Sequence, residues 1–557
     1  MRRWALLLAA VALALLVWLP LGVAGVPLDT PDGFLHLGWA VGWARQIRAG
    51  WLWPTWSDLP WAGAGSSALL IYPPLFRWLL GVPLLLGLPV DQAMAAARLA
   101  VLLINNGGAA LLARLWLPPG PWRLLLVFGA GLNPYLLVNL YVRGAWPEAL
   151  AQGLLWWLAI GLLGLSRRQR WGVPLAGLAL AAVLLSNWNS ALLTLLAWGL
   201  AGLLLARPRA WALSLAIGLG ASAAFWLPAL RALPTVRPPI PEGLFTSEFF
   251  FASDPGSTSM ADLLWIQAAT LAALLLLRWL AWGSRGLGLR RESNVATWGL
   301  LLALLSLLLM LPLGAWLYQL LPPLQRIQFP WRWLGPGWCG TLLWLASAGT
   351  QTQAAAQAWP GRRLAAALIG LTAAAGWFDG LWRFRENLVG HAPSPSERLA
   401  LRKLLACDPL QPCPAGLAAL PERGELAKRF AALPDGRIAL SGVPDYSPTG
   451  LPEGAWNRRL NIFWLPAWPQ TPWAAFSGAG QVQQFNHGPW HRELLVQACS
   501  AGSLRLMQWA QPRWQLRYRR LGQSRWSIPA RPDGRDPQGW ISLALPAGSW
   551  QVRLDYK

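Results

Sequence analysis

Apolar runs of roughly 17 to 25 residues recur along the first two thirds of the chain. Trp4 to Val26 and Leu364 to Leu381 are typical, and such runs are long enough to cross the ~30 Å hydrocarbon core of a bilayer. Between them stand short turns carrying clustered arginines: Arg114 and Arg123; Arg167, Arg168 and Arg170; Arg207 and Arg209; Arg285, Arg290 and Arg291; Arg362 and Arg363. Cytoplasmic loops hold such excesses of Arg and Lys, so these turns are assigned inside and the spans must alternate between them. The pattern predicts spans at about 4–26, 93–116, 124–141, 149–165, 171–187, 190–206, 210–230, 262–281, 294–312, 334–349 and 364–381. The fold class expected is therefore a polytopic α-helical membrane protein of about eleven transmembrane helices with a β-rich C-terminal domain.

Parity decides one ambiguous stretch. Ala68 to Leu88 is apolar, but a crossing there would break the alternation and would bury Arg77 with Pro73, Pro74 and Pro83. It is read as an interfacial or re-entrant helix, which makes 27–92 one large outer loop and puts Glu148 on the same outer face; the alternative is a true span here, with Glu148 facing inward. The first span, which follows Arg2 and Arg3, is longer than a usual signal-peptide core. It is expected to be retained, with the N-terminus cytoplasmic.

The pattern changes after residue 383. Apolar runs shorten to strand length, "WQLRYRRL" and "WQVRLDYK" alternate apolar and polar positions, and "PDGRD" and "PAGS" punctuate them as turns. This predicts a membrane domain over 1–383 and an extracytoplasmic β-sandwich-like domain over 384–557, joined by a helical linker from Pro395 to Ala406. Cys407 and Cys413 are close enough in sequence to pair if the tail lies outside the cytoplasm.

Composition agrees with a membrane setting. The chain is 55% hydrophobic and 12% charged, and its 41 Trp residues suit membrane interfaces. The 46 basic residues against 23 acidic give +23, but much of that excess lies in the inside turns and no nucleic-acid motif accompanies it, so nucleic acid is not an expected partner. No Walker loop, GxGxxG or GxSxG is present, which leaves ATP-driven transport and serine hydrolysis without support.

Candidate chemistry gathers at the outer face. Asp29, Asp32 and His36 stand just past the first span in "PLDTPDGFLHLGWA". Acidic groups at the mouth of a span face water or a cavity, and the plainer role for Asp32 is to cap a helix beginning near Gly33. Arg143 and Glu148 in "YVRGAWPEAL" arrive on the same face by parity, and two carboxylates with an Arg suit deprotonation of a hydroxyl beside a bound phosphate. In "RIQFPWRWL" the plainer reading is interfacial anchoring by Trp331 and Trp333, with Arg332 reaching for the headgroups. The functional reading is that Arg326 and Arg332 grip an anionic lipid head group. "SNWNS" at Ser186 to Ser190 and the loop bearing Glu242, Glu248 and Asp254 are further outward polar sets without a specific role. His487 and His491 are read as surface residues, and no metal site is expected from the Cys and His spacing.

The elements "DGFLH", "YPPLFRWL", "NPYLLVNLYVRGAWPEAL" and "RIQFPWRWL" resemble bacterial membrane proteins labelled 6-pyruvoyl-tetrahydropterin synthase-related, which in turn resemble GT-C glycosyltransferases. The ending "ISLALPAGSWQVRLDY" is similar to the β-domain terminus of related polytopic proteins. The resemblance implies a site at the outer membrane face, a polyprenyl-phosphate sugar as donor lipid and partner, and Asp32 as catalytic base. His36, Arg143 and Glu148 would surround the donor phosphate or the acceptor. The pterin label has no counterpart in the residues, since no zinc-ligand His cluster exists. A divalent cation or arginines would neutralise the phosphate, so the cofactor is left unassigned. The location expected is the inner (plasma) membrane. Competing expectations are a carrier or flippase for lipid-linked sugars, which would place charges near the bilayer midplane, and a scaffold whose outer domain binds glycan.

Overall fold

A computed structural model describes residues 4–24, 30, 32–57, 65–204, 208–237, 261–283, 294–325, 327, 329–350, 361–389, 430–432, 438–440, 447–448, 474–487, 491–510, 513–527 and 540–556. The helices are α1 (Ala5–Ala24), α2 (Gly33–Arg48), α3 (Ala68–Ile71), α4 (Leu75–Leu85), α5 (Val90–Trp116), α6 (Pro121–Gly131), α7 (Pro134–Leu137), α8 (Trp146–Ser166), α9 (Gly172–Leu184), α10 (Trp188–Leu204), α11 (Pro208–Ala232), α12 (Ala261–Gly283) and α13 (Asn294–Met310). After these come α14 (Ala315–Leu320), α15 (Pro322–Gln325), α16 (Leu334–Ala346) and α17 (Gly361–Val389). A π-helical turn, Val138–Arg143, continues α7.

Every expected span coincides with a helix, but the helices differ in length. Among the described residues six are long and apolar enough to cross a membrane: Ala5–Val23, Val90–Trp116, Pro121–Arg143, Trp146–Ser166, Pro208–Thr235 and Arg363–Arg385. The count becomes seven if α13 and the helical segment after it, bent by 96°, form one broken span. Others of the eleven expected spans meet shorter helices, of 13 residues in α9 and α16 and 17 in α10. At 1.5 Å per residue, 13 residues reach only about 20 Å.

The stretch around Ala68 to Leu88 is not a crossing helix. The Tyr72-Pro73-Pro74 segment separates α3 from α4, Pro83 lies inside α4, and neither piece is long enough to span. Proline lacks the donor a continuing helix needs, so the sequence breaks here. Both helices fold onto the bundle, with α4 packed on α2 and α5 and the Leu75 amide donating to the Leu185 carbonyl at 2.7 Å. "SNWNS" has a local structural job. The Asn187 side chain accepts from the Ser190 amide at the start of α10, and the Trp188 indole donates to the Ile71 carbonyl.

Helix α17 runs to Val389, past residue 383 where the tail was expected to begin. The first four strands are short, β1 (Val236–Arg237), β2 (Phe430–Ala432), β3 (Ile438–Leu440) and β4 (Ser447–Pro448); further along the tail, a four-stranded antiparallel sheet is ordered β6 (Gly480–His487), β7 (His491–Ala498), β11 (Gly548–Tyr556), β9 (Trp514–Arg520). A three-stranded sheet is ordered β10 (Trp540–Leu545), β8 (Gly502–Trp509), β5 (Ala474–Phe476). Alternation sets which residues turn inward: Leu494, Val496, Val552 and Leu554 of the first sheet meet Leu504, Leu506 and Ile541 of the second in one core.

That core also contains a residue from the other end of the chain. Trp56, in the loop after α2, is fully buried there, with its ring 4.8 Å from Tyr556 and 5.5 Å from Trp514. Its carbonyl accepts a hydrogen bond from the Gln46 side chain on α2. A second stitch joins the Val236–Arg237 strand after α11 to Ser447–Pro448. Pro395 to Ala406, Cys407, Cys413 and the acidic loop with Glu242, Glu248 and Asp254 lie outside the described residues. Cys339 is buried and Cys499 exposed, and both are free thiols.

Candidate functional site

The chain turns back on itself at Gly144, where the helical run Pro121–Arg143 ends and α8 begins two residues later. Arg143 therefore sits at a helix C-terminus and Glu148 in the first turn of the next helix, each where the backbone dipole favours its charge. Gly144 adopts φ +69°, and its α-carbon lies so close to α2 that an added Cβ would be 2.4 Å from the Thr30 hydroxyl and 2.6 Å from the Gly33 nitrogen. The Asp32 amide donates to the Arg143 carbonyl at 2.9 Å, so the start of α2 is fixed to this turn by backbone as well as side chain.

Arg143 is the hub. Its Nη2 donates to Asp32 Oδ2 at 3.2 Å, and its Nη1 reaches Glu148 Oε2 at 3.1 Å, Asn139 Oδ1 at 2.7 Å and the Tyr135 hydroxyl at 3.0 Å. The Tyr135 hydroxyl in turn donates to Glu148 Oε1 at 2.7 Å. The guanidinium faces the Trp331 ring, 4.9 Å from its centroid, and Trp331 stacks on Phe329 at 4.9 Å. Arg332 lies over Phe329 at 5.1 Å, with its Nε buried and without a hydrogen-bond partner among the described residues.

Asp32 does not cap α2 with its side chain, so the plainer sequence reading does not hold; the carboxylate is turned to Arg143 instead. The two carboxylates on this guanidinium differ in access. The Glu148 side chain is 4% exposed and that of Asp32 is 32% exposed. Glu148 is thus locked as a counter-ion, whereas Asp32 is the acidic group of the pair that an incoming molecule can reach.

His36 lies one turn along α2 in an aromatic nest of Trp39, Tyr72, Phe76 and Trp146, with centroid separations of 5.2 to 6.2 Å. Burial lowers its imidazole from 6.5 to about 4. Asp32 opposes that shift and Arg143 adds to it, leaving His36 neutral near pH 7.

The structure thus brings Asp32, His36, Arg143 and Glu148 together and sets Arg332 at the edge; Asp29 and Arg326 lie outside the described residues. Arg143 was expected to hold a donor phosphate, but both its terminal nitrogens are committed to carboxylates. Tyr135, Asn139 and the inward role of Trp331 went unnoticed in the sequence. A signal existed, since Tyr135, Asn139 and Arg143 recur every four residues through an apolar run, which is the spacing of one helix face. Among the described residues no group of three or more His, Cys, Asp or Glu could hold a metal ion.

No family model matches the chain and no curated protein does so, so the pterin-synthase likeness is not shown. Among solved structures, two cryo-EM structures of arabinofuranosyltransferase AftD from Mycobacteria are similar. One shares 20% identity at a TM-score of 0.41, covering 68% of this chain and 27% of that one. The other, a mutant form, shares 14% identity at a TM-score of 0.41 and covers 100% of this chain and 60% of that one. In each case the chain spans less than two thirds of the length of the structure it matches.

Proposed function

We propose that the chain is a membrane glycosyltransferase that moves a sugar from a polyprenyl phosphate to an extracytoplasmic acceptor, with inversion at the anomeric carbon. The observation that carries this reading is the unequal pair of carboxylates on Arg143, one buried and one reachable. Such an arrangement supplies a base held in place by a fixed cation: Asp32 Oδ2 is oriented by Arg143, and Oδ1 makes no hydrogen bond among the described residues. The acceptor hydroxyl would give its proton to Asp32 as its oxygen attacks the sugar, and the lipid phosphate would leave. Arg332, whose Nε has no hydrogen-bond partner among the described residues, is assigned to the phosphate, because Arg143 is already neutralised. Arg143, Glu148, Tyr135 and Asn139 act as positioning residues, and the apolar nest keeps His36 beside Asp32 without a positive charge. The outer membrane face as the place of reaction follows from the Arg-rich turns, which assign the opposite ends of the helices to the cytoplasm.

Asp32→Asn tests the assignment. Asn still accepts from Arg143 Nη2, and Asp32 is partly solvated, so the fold should lose about 1 kcal/mol or less. Loss of a general base costs about 10²- to 10⁴-fold in rate. In proteoliposomes supplied with labelled polyprenyl-phosphate sugars, Asp32→Asn is expected to abolish transfer at normal expression and melting temperature. Near-normal turnover would refute the role of Asp32. Lipid-linked sugar crossing the membrane without transfer in the wild type would instead point to a carrier.

A further inference from the structure

We infer that a groove between α11 and the β-domain is a binding site for an anionic membrane lipid, which fastens that domain to the bilayer surface. The groove encloses about 420 Å³ and is lined by Ala223, Ala224, Leu227, Pro228 and Arg231 of α11 together with Arg513 at the start of β9. The helical residues fall on one face, so they form an apolar track that ends at Arg231 in the last turn. The eight helical steps from Ala223 to Arg231 make that track about 12 Å long, enough to seat the upper part of an acyl chain.

The occupant is identified by the two ends of this track. The helix is a candidate membrane span with an open flank, since Leu227 is 42% and Leu230 is 48% exposed, which is a surface for hydrocarbon. Among the described residues the head end holds two guanidiniums and no carboxylate, so it complements an anion. Arg513 stands directly before Trp514, whose ring lies 5.0 Å from Tyr556 in the strand pair that packs on Trp56, so an anion bridging Arg231 and Arg513 would link the membrane helix to the core of the domain. A molecule with both a hydrocarbon chain and a phosphate matches the groove along its length. A soluble anion matches only one end.

The test uses the full chain in nanodiscs of phosphatidylcholine, with and without phosphatidylglycerol, and counts retained lipid by native mass spectrometry. The wild type is expected to retain phosphatidylglycerol in preference to phosphatidylcholine and to melt higher in its presence. Arg231→Gln should cut that retention about fivefold, the change corresponding to about 1 kcal/mol for one basic residue at a membrane surface. Adding Arg513→Gln should bring the loss to about 30-fold. Arg525→Gln, which removes an exposed charge of the same domain away from the groove, should leave retention unchanged and so separate the site from general attraction to a basic protein. Equal retention in the wild type and Arg231→Gln would overturn the inference. So would equal losses in Arg231→Gln and Arg525→Gln, or inorganic phosphate raising the melting temperature in phosphatidylcholine as much as phosphatidylglycerol does.

Discussion

Arg143 shows how a buried charge is made tolerable. Removing a guanidinium from water costs several kcal/mol, and the cost is offset only where its donors are met by acids and dipoles, as Glu148, Asp32, Asn139 and Tyr135 meet them here. His36 solves the same problem by giving up its proton. Its folded value of about 4 lies below the unfolded 6.5, so the unfolded chain takes up a proton first as pH falls. Its contribution is therefore complete above about pH 6.5 and is lost between there and about pH 4, to an extent on the order of 3 kcal/mol. Melting temperature in detergent should fall across that window, and His36→Phe, which keeps an aromatic ring in the nest but cannot titrate, should flatten the fall. An unchanged acid limb in His36→Phe would show that the loss comes from other groups. At this scale the sequence was informative about which residue types meet, because alternation put the first loop and Glu148 on one face. It could not show that Asp32 turns away from its own helix end, which depends on a partner 111 positions away.

At the scale of elements, apolar runs and arginine turns place the helices well, and the proline-rich break before α4 is readable from backbone chemistry alone. The π-helical turn is not readable, because one extra residue per turn leaves no mark in hydropathy. Nor were the short lengths of α9 and α16, the second of which passes into 3-10 turns at both ends, Pro330–Trp333 and Ser347–Thr350. The turn at Gly144 ties these elements to the site. A side chain there meets two penalties: the left-handed backbone, which costs about 1–2 kcal/mol, and the clash with Thr30 and the Gly33 backbone, which costs about 1–3 kcal/mol more. Gly87 separates them, since it has φ +87° with nothing within 4 Å of an added Cβ. Gly87→Ala should lower the unfolding free energy by only the first amount and leave transfer activity intact. Gly144→Ala should lower it by roughly 2–5 kcal/mol and displace Asp32 from Arg143. Equal effects of the two substitutions would mean that the packing of α2 on this turn does not set the site.

At the scale of the whole molecule, Trp56 constrains how the chain crosses the membrane. Trp56 follows α1 and α2, and it shares one core with strands at the C-terminus, so both must lie on the same side and an even number of crossings must separate them. Six spans in total would leave five after the first loop, an odd number. Seven or eleven leave six or ten, so the constraint admits the broken span at α13 and also the eleven-span scheme. Hydropathy could not reveal this contact, because nothing in an isolated "WLWPTWS" says which distant core it enters. The contact also joins the β-domain to α2, through the hydrogen bond from Gln46 to the Trp56 carbonyl, and α2 carries Asp32 and His36. Trp56→Ala removes a fully buried indole from between Trp514 and Tyr556, a change that typically costs about 3–5 kcal/mol. The loss falls on the β-domain and not on the bundle, whose core is a separate cluster. Hydrogen–deuterium exchange of the full chain in nanodiscs should therefore quicken in β9 and β11 while α5 and α8 keep their protection. Trp56→Phe, which retains an aromatic plug, should lie between the wild type and Trp56→Ala. Protection in β9 and β11 that is indifferent to Trp56 would mean that the loop does not hold the domain, and the parity argument built on their shared core would fall with it.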